Sequence, residues 1–163
     1  MPEPEIRPIQ EEDIPGVFRL VQQLALYEKA PEQVTLTVER MISDLKKGYF
    51  RGFVLDLEGQ IIGMAIHYPR YSTWKGLTYH LEDFIVDEPY RRNGFGKRLF
   101  DAVAEVALRD GVHRFEWEVL EWNEPALDFY RKVGASLDPE WFLGKMDREA
   151  LGKYLQDPKR NRR

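Results

Sequence analysis

Arg91-Arg92-Asn93-Gly94-Phe95-Gly96-Lys97 is the stretch on which the fold turns. A strand-like apolar run, Leu77 to Val86, precedes it and ends before Pro89; an amphipathic run follows, with Leu99, Phe100, Val103, Val106 and Ala107 on one stripe. Glycines between a strand and a helix start let backbone amides and the helix dipole face an anion, and Arg91, Arg92 and Lys97 add positive charge. Pyrophosphate suits such a loop. On these residues alone, a glycine-containing turn with solvated basic side chains accounts for it equally well. Two familiar phosphate loops fail. A P-loop ending at Gly96-Lys97 needs a glycine and a hydroxyl residue where the chain has Arg91 and Arg98. A dinucleotide fingerprint starting at Gly94 needs a glycine where the chain has Leu99, and no early βαβ unit precedes it. Arg-x-x-Gly-x-Gly over 91–96 is what remains.

Working outward, Ile6 to Ile9 reads as a first strand. Ile14, Val17, Phe18, Val21, Leu24 and Ala25 then recur at helical spacing, in a helix that ends near Glu28 because Pro31 blocks its continuation. Thr37 stands as the cap of a second helix carrying Val38, Met41, Ile42 and Leu45, closed by Gly48. Phe53–Leu57 and Ile61–Ile66 form a hairpin joined at Glu58-Gly59, and Pro69 to Gly76 reads as a loop before the strand Leu77–Val86. The helix after the glycine loop spans about Gly96 to Arg109. Phe115, Trp117 and Val119 alternate with Glu116 and Glu118, as in a strand covered on one face. A short helix over Glu124–Lys132 has Pro125 in its first turn and Gly134 as its stop. One or two strands around Leu143 to Met146 and a helix near Arg148 to Leu155 complete the chain. Strands first, then a strand-helix-strand-helix unit, predict a mixed-sheet α/β sandwich.

The 163 residues predict one domain, and 43% hydrophobic with 32% charged residues excludes a disordered or membrane-embedded chain. The formal charge is −4; residues 157–163 carry one acid and four bases, so the body stands at −7. An acidic body favours cationic partners over nucleic acid. With no cysteine there is no disulfide, thiol nucleophile or thiolate metal site. His67, His80 and His113 lack ligand spacing, so no metal is expected and a core or surface role suffices for them. No Gly-x-Ser-x-Gly elbow supports a serine hydrolase. With no apolar run long enough to span a bilayer and no signal pattern, a cytoplasmic location without membrane contact is the default.

The glycine loop, together with Leu81-Glu82-Asp83-Phe84-Ile85-Val86, Leu24-Ala25-Leu26-Tyr27-Glu28 and the run Glu121 to Ala135 with its Asn123 and Phe129-Tyr130-x-x-x-Gly134, resembles the GNAT N-acetyltransferases. Within them it is similar to the diamine acetyltransferases that act on spermidine and spermine and to their thialysine-acetylating relatives. The resemblance runs from about Ile6 to Leu155. It implies a mixed, mostly antiparallel central sheet flanked by helices, a single domain over 1–155 with a basic tail at 156–163, and a homodimer. It also implies acetyl-CoA as cosubstrate, held by Phe84, Ile85, Val86, the loop Arg91, Arg92, Asn93, Gly94, Phe95, Gly96 and Lys97, and by Asn123, Pro125, Ala126 and Tyr130. The chain departs from the animal enzymes at Arg92-Asn93, in a shorter Glu58-Gly59 hairpin and in its tail.

The chemistry follows from the amine. An alkylamine with a pKa of about 10.4 arrives protonated and must lose a proton before it attacks a thioester. The resemblance makes Glu82 the acceptor of that proton and gives Asp83 a supporting electrostatic role. Neighbours on a strand point to opposite faces, so only one of the two enters a given face unless a bulge redirects the other. On the residues alone Tyr130 could pack beside Phe129 with its hydroxyl in water; the resemblance makes its phenol the group that protonates the departing thiolate. Asn123 would cap its helix, hydrogen-bond pantetheine amides, or both. Glu28 sits at a helix end, where a carboxylate opposes the dipole; by resemblance it pairs with a distal ammonium while Tyr27 offers a cation-π face. Glu140 and Trp141 join the amine site. The expected activity is direct acetyl transfer to a primary amine of a diamine, polyamine or thialysine-like molecule. The alternatives are a protein-lysine or other small-amine acetyltransferase, and a noncatalytic acyl-CoA-binding module.

Overall fold

A computed structural model describes residues 2–157, so residues 158–163 of the expected basic tail lie outside the described residues. The chain forms two compact units, one up to Leu120 and one from Glu121 on.

The first unit holds five strands, β1 (Glu5–Pro8), β2 (Arg51–Leu57), β3 (Gln60–Ser72), β4 (Gly76–Val86) and β5 (Arg114–Trp117), and three helices, α1 (Ile14–Tyr27), α2 (Val38–Lys46) and α3 (Phe95–Arg109). The strands lie in the order β1-β2-β3-β4-β5. The first four are antiparallel and β5 runs parallel to β4, giving the mixed, mostly antiparallel sheet expected. Parallel pairing requires a crossover, which α3 supplies.

Alternation along the strands divides the core between two faces. Val54, Met64, Ile66 and Ile85 pack with Ile14, Val17 and Leu20 of α1 and Met41 of α2. On the other face α3 buries Leu99, Phe100, Val103 and Ala107, with the Phe100 ring 6.1 Å from Phe84, 5.4 Å from Phe115 and 5.4 Å from Trp117. The local signals hold. Thr37 Oγ1 accepts the Arg40 amide at 3.2 Å to cap α2. Glu58 and Gly59 both take positive φ, 51° and 89°, as a tight two-residue hairpin requires.

Three expectations change. The segment Pro69–Gly76 is only partly loop: β3 continues to Ser72, β4 starts at Gly76, and Pro69 pairs with Tyr79 in the long ribbon they form. β5 stops at Trp117, short of Val119. No strand forms around Leu143 to Met146; apolar composition supplies no hydrogen-bonding neighbour, and Leu143 and Met146 lie exposed. The second unit contains α4 (Glu124–Lys132) and α5 (Arg148–Gln156). Among the described residues no helix is long and apolar enough to cross a membrane.

Candidate active site

The register between β3 and β4 slips by one residue. Ile66 faces Asp83, His67 faces Leu81, and Glu82 is left over as a bulge. Directly paired residues share a face, so Asp83 lies with Ile66 on the side covered by α1, and Leu81 lies with His67 on the other. Glu82 reaches the α1 side too. Its Oε2 accepts a hydrogen bond from the Tyr68 hydroxyl at 2.8 Å and lies 3.6 Å from His80 Nε2, and Tyr68 and His80 are themselves a cross-strand pair. The bulge thus puts two consecutive carboxylates on one face, which strict alternation forbids.

A third carboxylate joins them from α1. Lys29, in the left-handed region at φ 62°, ends that helix, and the Ala30 amide donates back to the Ala25 carbonyl at 2.9 Å. This turn leaves Glu28 at the helix end. Burial, reinforced by the negative charges of Glu82 and Glu28, pushes the Asp83 carboxyl up to about 7. The protein mass around Glu28 raises its carboxyl as well. An acidic cluster of this kind stabilises an incoming ammonium.

Beside the cluster, β4 outruns its parallel neighbour. β5 pairs with β4 only from Thr78 to Leu81, so among the described residues no strand pairs with that edge of β4 from Glu82 to Val86. Phe84, Ile85 and Val86 lie on this stretch, beyond the end of β5. At its end Asp87 accepts from Arg19 at 3.0 Å, tying the strand to α1.

The glycine loop follows. Arg92 at φ 66° and Gly94 at φ 78° turn the chain sharply into α3, whose first intrahelical bond runs from the Arg98 amide to the Gly94 carbonyl. The amides of Phe95, Gly96 and Lys97 precede that bond, in the position where helices bind anions. A Cβ on Gly96 would meet Phe84 at 3.6 Å and Val86 at 3.9 Å, ordinary contact distances, so packing alone does not demand glycine there. Asn93 steadies the turn by donating to the Tyr90 and Arg91 carbonyls. Arg91 donates to the Val86 carbonyl at 2.8 Å and lies 5.9 Å over the Tyr27 ring, so one aromatic face expected for the substrate faces a protein guanidinium. Lys97 pairs with Asp101 at 2.6 Å. Together these residues fit a pyrophosphate and a pantetheine arm.

In the second unit, Asn123 Oδ1 accepts the Ala126 amide at 3.4 Å and caps α4, with Pro125 in its first turn. Tyr130 is buried against Phe129, with ring centroids 5.5 Å apart, and its carbonyl accepts the Ala135 amide across the Gly134 turn. Glu140 and Trp141 are exposed, the former donating its amide to Asp138. No group of three metal-ligating side chains occurs among the described residues. Tyr68 was not singled out in the sequence, and His80 was given only a core or surface role. Both His80 and Glu82 lie in the run Leu77–Val86, but only the register brings Tyr68 to them.

Residues 16–135 match the model of the Acetyltransferase (GNAT) family. The chain is 35% identical over 165 residues to the thialysine N-epsilon-acetyltransferase of Bos taurus, covering 91% of this chain and 97% of that protein. It is 31% identical over 144 residues to the enzyme of the same name from Caenorhabditis elegans, covering 86% and 90%. Among solved structures, an aminoglycoside acetyltransferase from an uncultured soil metagenomic sample superposes with a TM-score of 0.75 at 22% identity, over 88% of this chain and 97% of the other. The mixed sheet, the glycine loop at the head of α3 and these matches agree: the chain belongs to the GNAT acetyltransferase family and is an N-acetyltransferase.

Proposed function

We propose that the enzyme transfers acetyl directly from acetyl-CoA to a primary amine of a diamine, polyamine or thialysine-like amino acid. The gathering of Glu28, Glu82 and Asp83 carries this reading, since three carboxylates around one site suit a substrate with more than one ammonium. Acetyl-CoA supplies an activated thioester. The amides of residues 95–97 and the charges of Arg92 and Lys97 hold its pyrophosphate, and the open edge of β4 from Phe84 to Val86 orients the acetyl-bearing arm. Asn123, Pro125 and Ala126 at the start of α4 contribute further cosubstrate contacts.

Glu82 accepts the ammonium proton through a water, and the freed nitrogen lone pair attacks the acetyl carbonyl. Asp83 holds the site negative and Glu28 reads the distal cation. As the carbon–sulfur bond breaks, Tyr130 donates its phenolic proton to the leaving sulfur, and the second proton that nitrogen sheds on becoming an amide restores the phenol. Tyr27, Glu140 and Trp141 belong to the amine site in this reading. With it go a single domain over 1–155, homodimerisation and a cytoplasmic location, the first two resting on the family resemblance and the last on a sequence without cysteine.

A panel of amines assayed with acetyl-CoA tests the proposal. A diamine or diamino acid should outperform a monoamine of equal chain length, and Glu28→Gln should reduce that advantage while leaving acetyl-CoA affinity nearly unchanged. The gap should shrink with salt, since screening weakens an accessible ion pair. A wild type indifferent to the second amine, or one active only on protein lysines, would refute the small-diamine reading.

A further inference from the structure

Glu82 is held by one oxygen. The Tyr68 hydroxyl donates to Oε2 at 2.8 Å, and His80 Nε2 approaches the same atom to 3.6 Å. Among the described residues Oε1 has no hydrogen-bond partner. The clamp is itself built in. Tyr68 and His80 face each other across β3 and β4, with ring centroids 5.3 Å apart. The His80 side chain is 7% exposed, and its Nδ1 is buried without a hydrogen-bond partner. A ring whose other nitrogen meets no donor or acceptor has one polar contact to make, and that contact is Glu82.

We propose that Tyr68 and His80 are positioning residues that pin Oε2 of Glu82, so that Oε1 is the atom that receives the substrate proton. This rests on the reading of Glu82 as proton acceptor. In the step, an N–H bond of the ammonium breaks and its electron pair stays on nitrogen; the proton reaches Oε1 through the intervening water and passes to solvent before the next turnover. Burial, and the adjoining Glu82 carboxylate, keep the Tyr68 phenol protonated well above its ordinary range, so it remains a donor throughout. The Tyr68 hydrogen bond, with the buried His80 ring packed beside it, restricts rotation of the carboxyl group.

A double-mutant cycle tests this. Tyr68→Phe deletes one oxygen and keeps the ring against His80; His80→Phe keeps a ring against Tyr68 and deletes the nitrogens. Each is compared with its parent in the wild-type and Glu82→Gln backgrounds, with melting temperature and acetyl-CoA affinity measured alongside. Tyr68→Phe should lower kcat about tenfold, the scale of one hydrogen bond to a charged group, with KM for amine and acetyl-CoA within about twofold. His80→Phe should act in the same direction and less strongly, given its longer approach. In the Glu82→Gln background neither should lower kcat further, because the atom they position has been replaced. Unchanged kcat in Tyr68→Phe, or the same loss in both backgrounds, would overturn the clamp. Wild-type kcat in Glu82→Gln would instead overturn the assignment of Glu82, a separable result.

Discussion

Asp83 makes the stability of this enzyme depend on pH in a direction opposite to most carboxylates. Its folded-state value lies at about 7, against an ordinary 3.8, chiefly through burial and then through the charges of Glu82 and Glu28. Between those values the folded protein holds a proton that the unfolded chain has released. Stability therefore falls as pH rises through this window, and the cost is complete above about pH 7 and absent below about pH 3.8. At about 1.4 kcal/mol per pH unit the window amounts to about 4 kcal/mol, an upper bound because solvent and relaxation reduce it. Asp83→Asn removes the titration while keeping the shape. Urea unfolding at intervals from pH 4.5 to 8.5 should show the variant gaining on the wild type by up to about 3 kcal/mol, the part of the window above pH 4.5, with nearly all of the gain accrued by pH 7.5. A difference between the two proteins that stays flat from pH 5 to 8 would refute the burial of Asp83 among like charges.

Gly96→Ala should fold with near-native stability, since its Cβ finds ordinary contacts, yet bind CoA at least tenfold more weakly by calorimetry. Gly94→Ala should also lose about 1 kcal/mol of stability, because φ 78° strains any side chain; native CoA affinity in both would displace the pyrophosphate from this loop. Tyr130→Phe should keep fold and CoA binding and lose roughly 10²-fold in turnover, and wild-type turnover across the pH range would remove Tyr130 from the mechanism. Arg7 bonds Asp13 at 2.7 and 2.8 Å and Asp56 at 2.8 Å, and Asp13 is buried. Arg7→Ala should cost about 3 kcal/mol at neutral pH by stranding a buried carboxylate. Arg7 holds the Asp13 carboxyl below its ordinary range, so this contribution is present above about pH 3.8 and fades below it; an equal deficit at pH 3 and pH 7 in denaturation curves would contradict the pairing.

Most elements of the first unit were legible in the sequence because their signals are local. Glu58-Gly59 demanded a tight hairpin, Thr37 and Gly48 bracketed α2, and the apolar stripe from Leu99 to Ala107 defined α3 with the glycine loop at its head. The expected strand near Leu143 failed for the complementary reason: a strand requires a neighbour, and composition does not name one. The site divides along the same line. Glu82, Asp83 and Glu28 could be singled out from the chain, yet alternation placed Glu82 and Asp83 on opposite faces. Only the slip of register between Ile66 and His67 brings them to one face, and only that pairing delivers Tyr68, fourteen residues away, to the Glu82 oxygen. Likewise the open edge of β4 exists because β5 stops at Trp117. Register and strand length are set by the packing of two helical layers on the sheet, a sum over distant contacts that no local window contains.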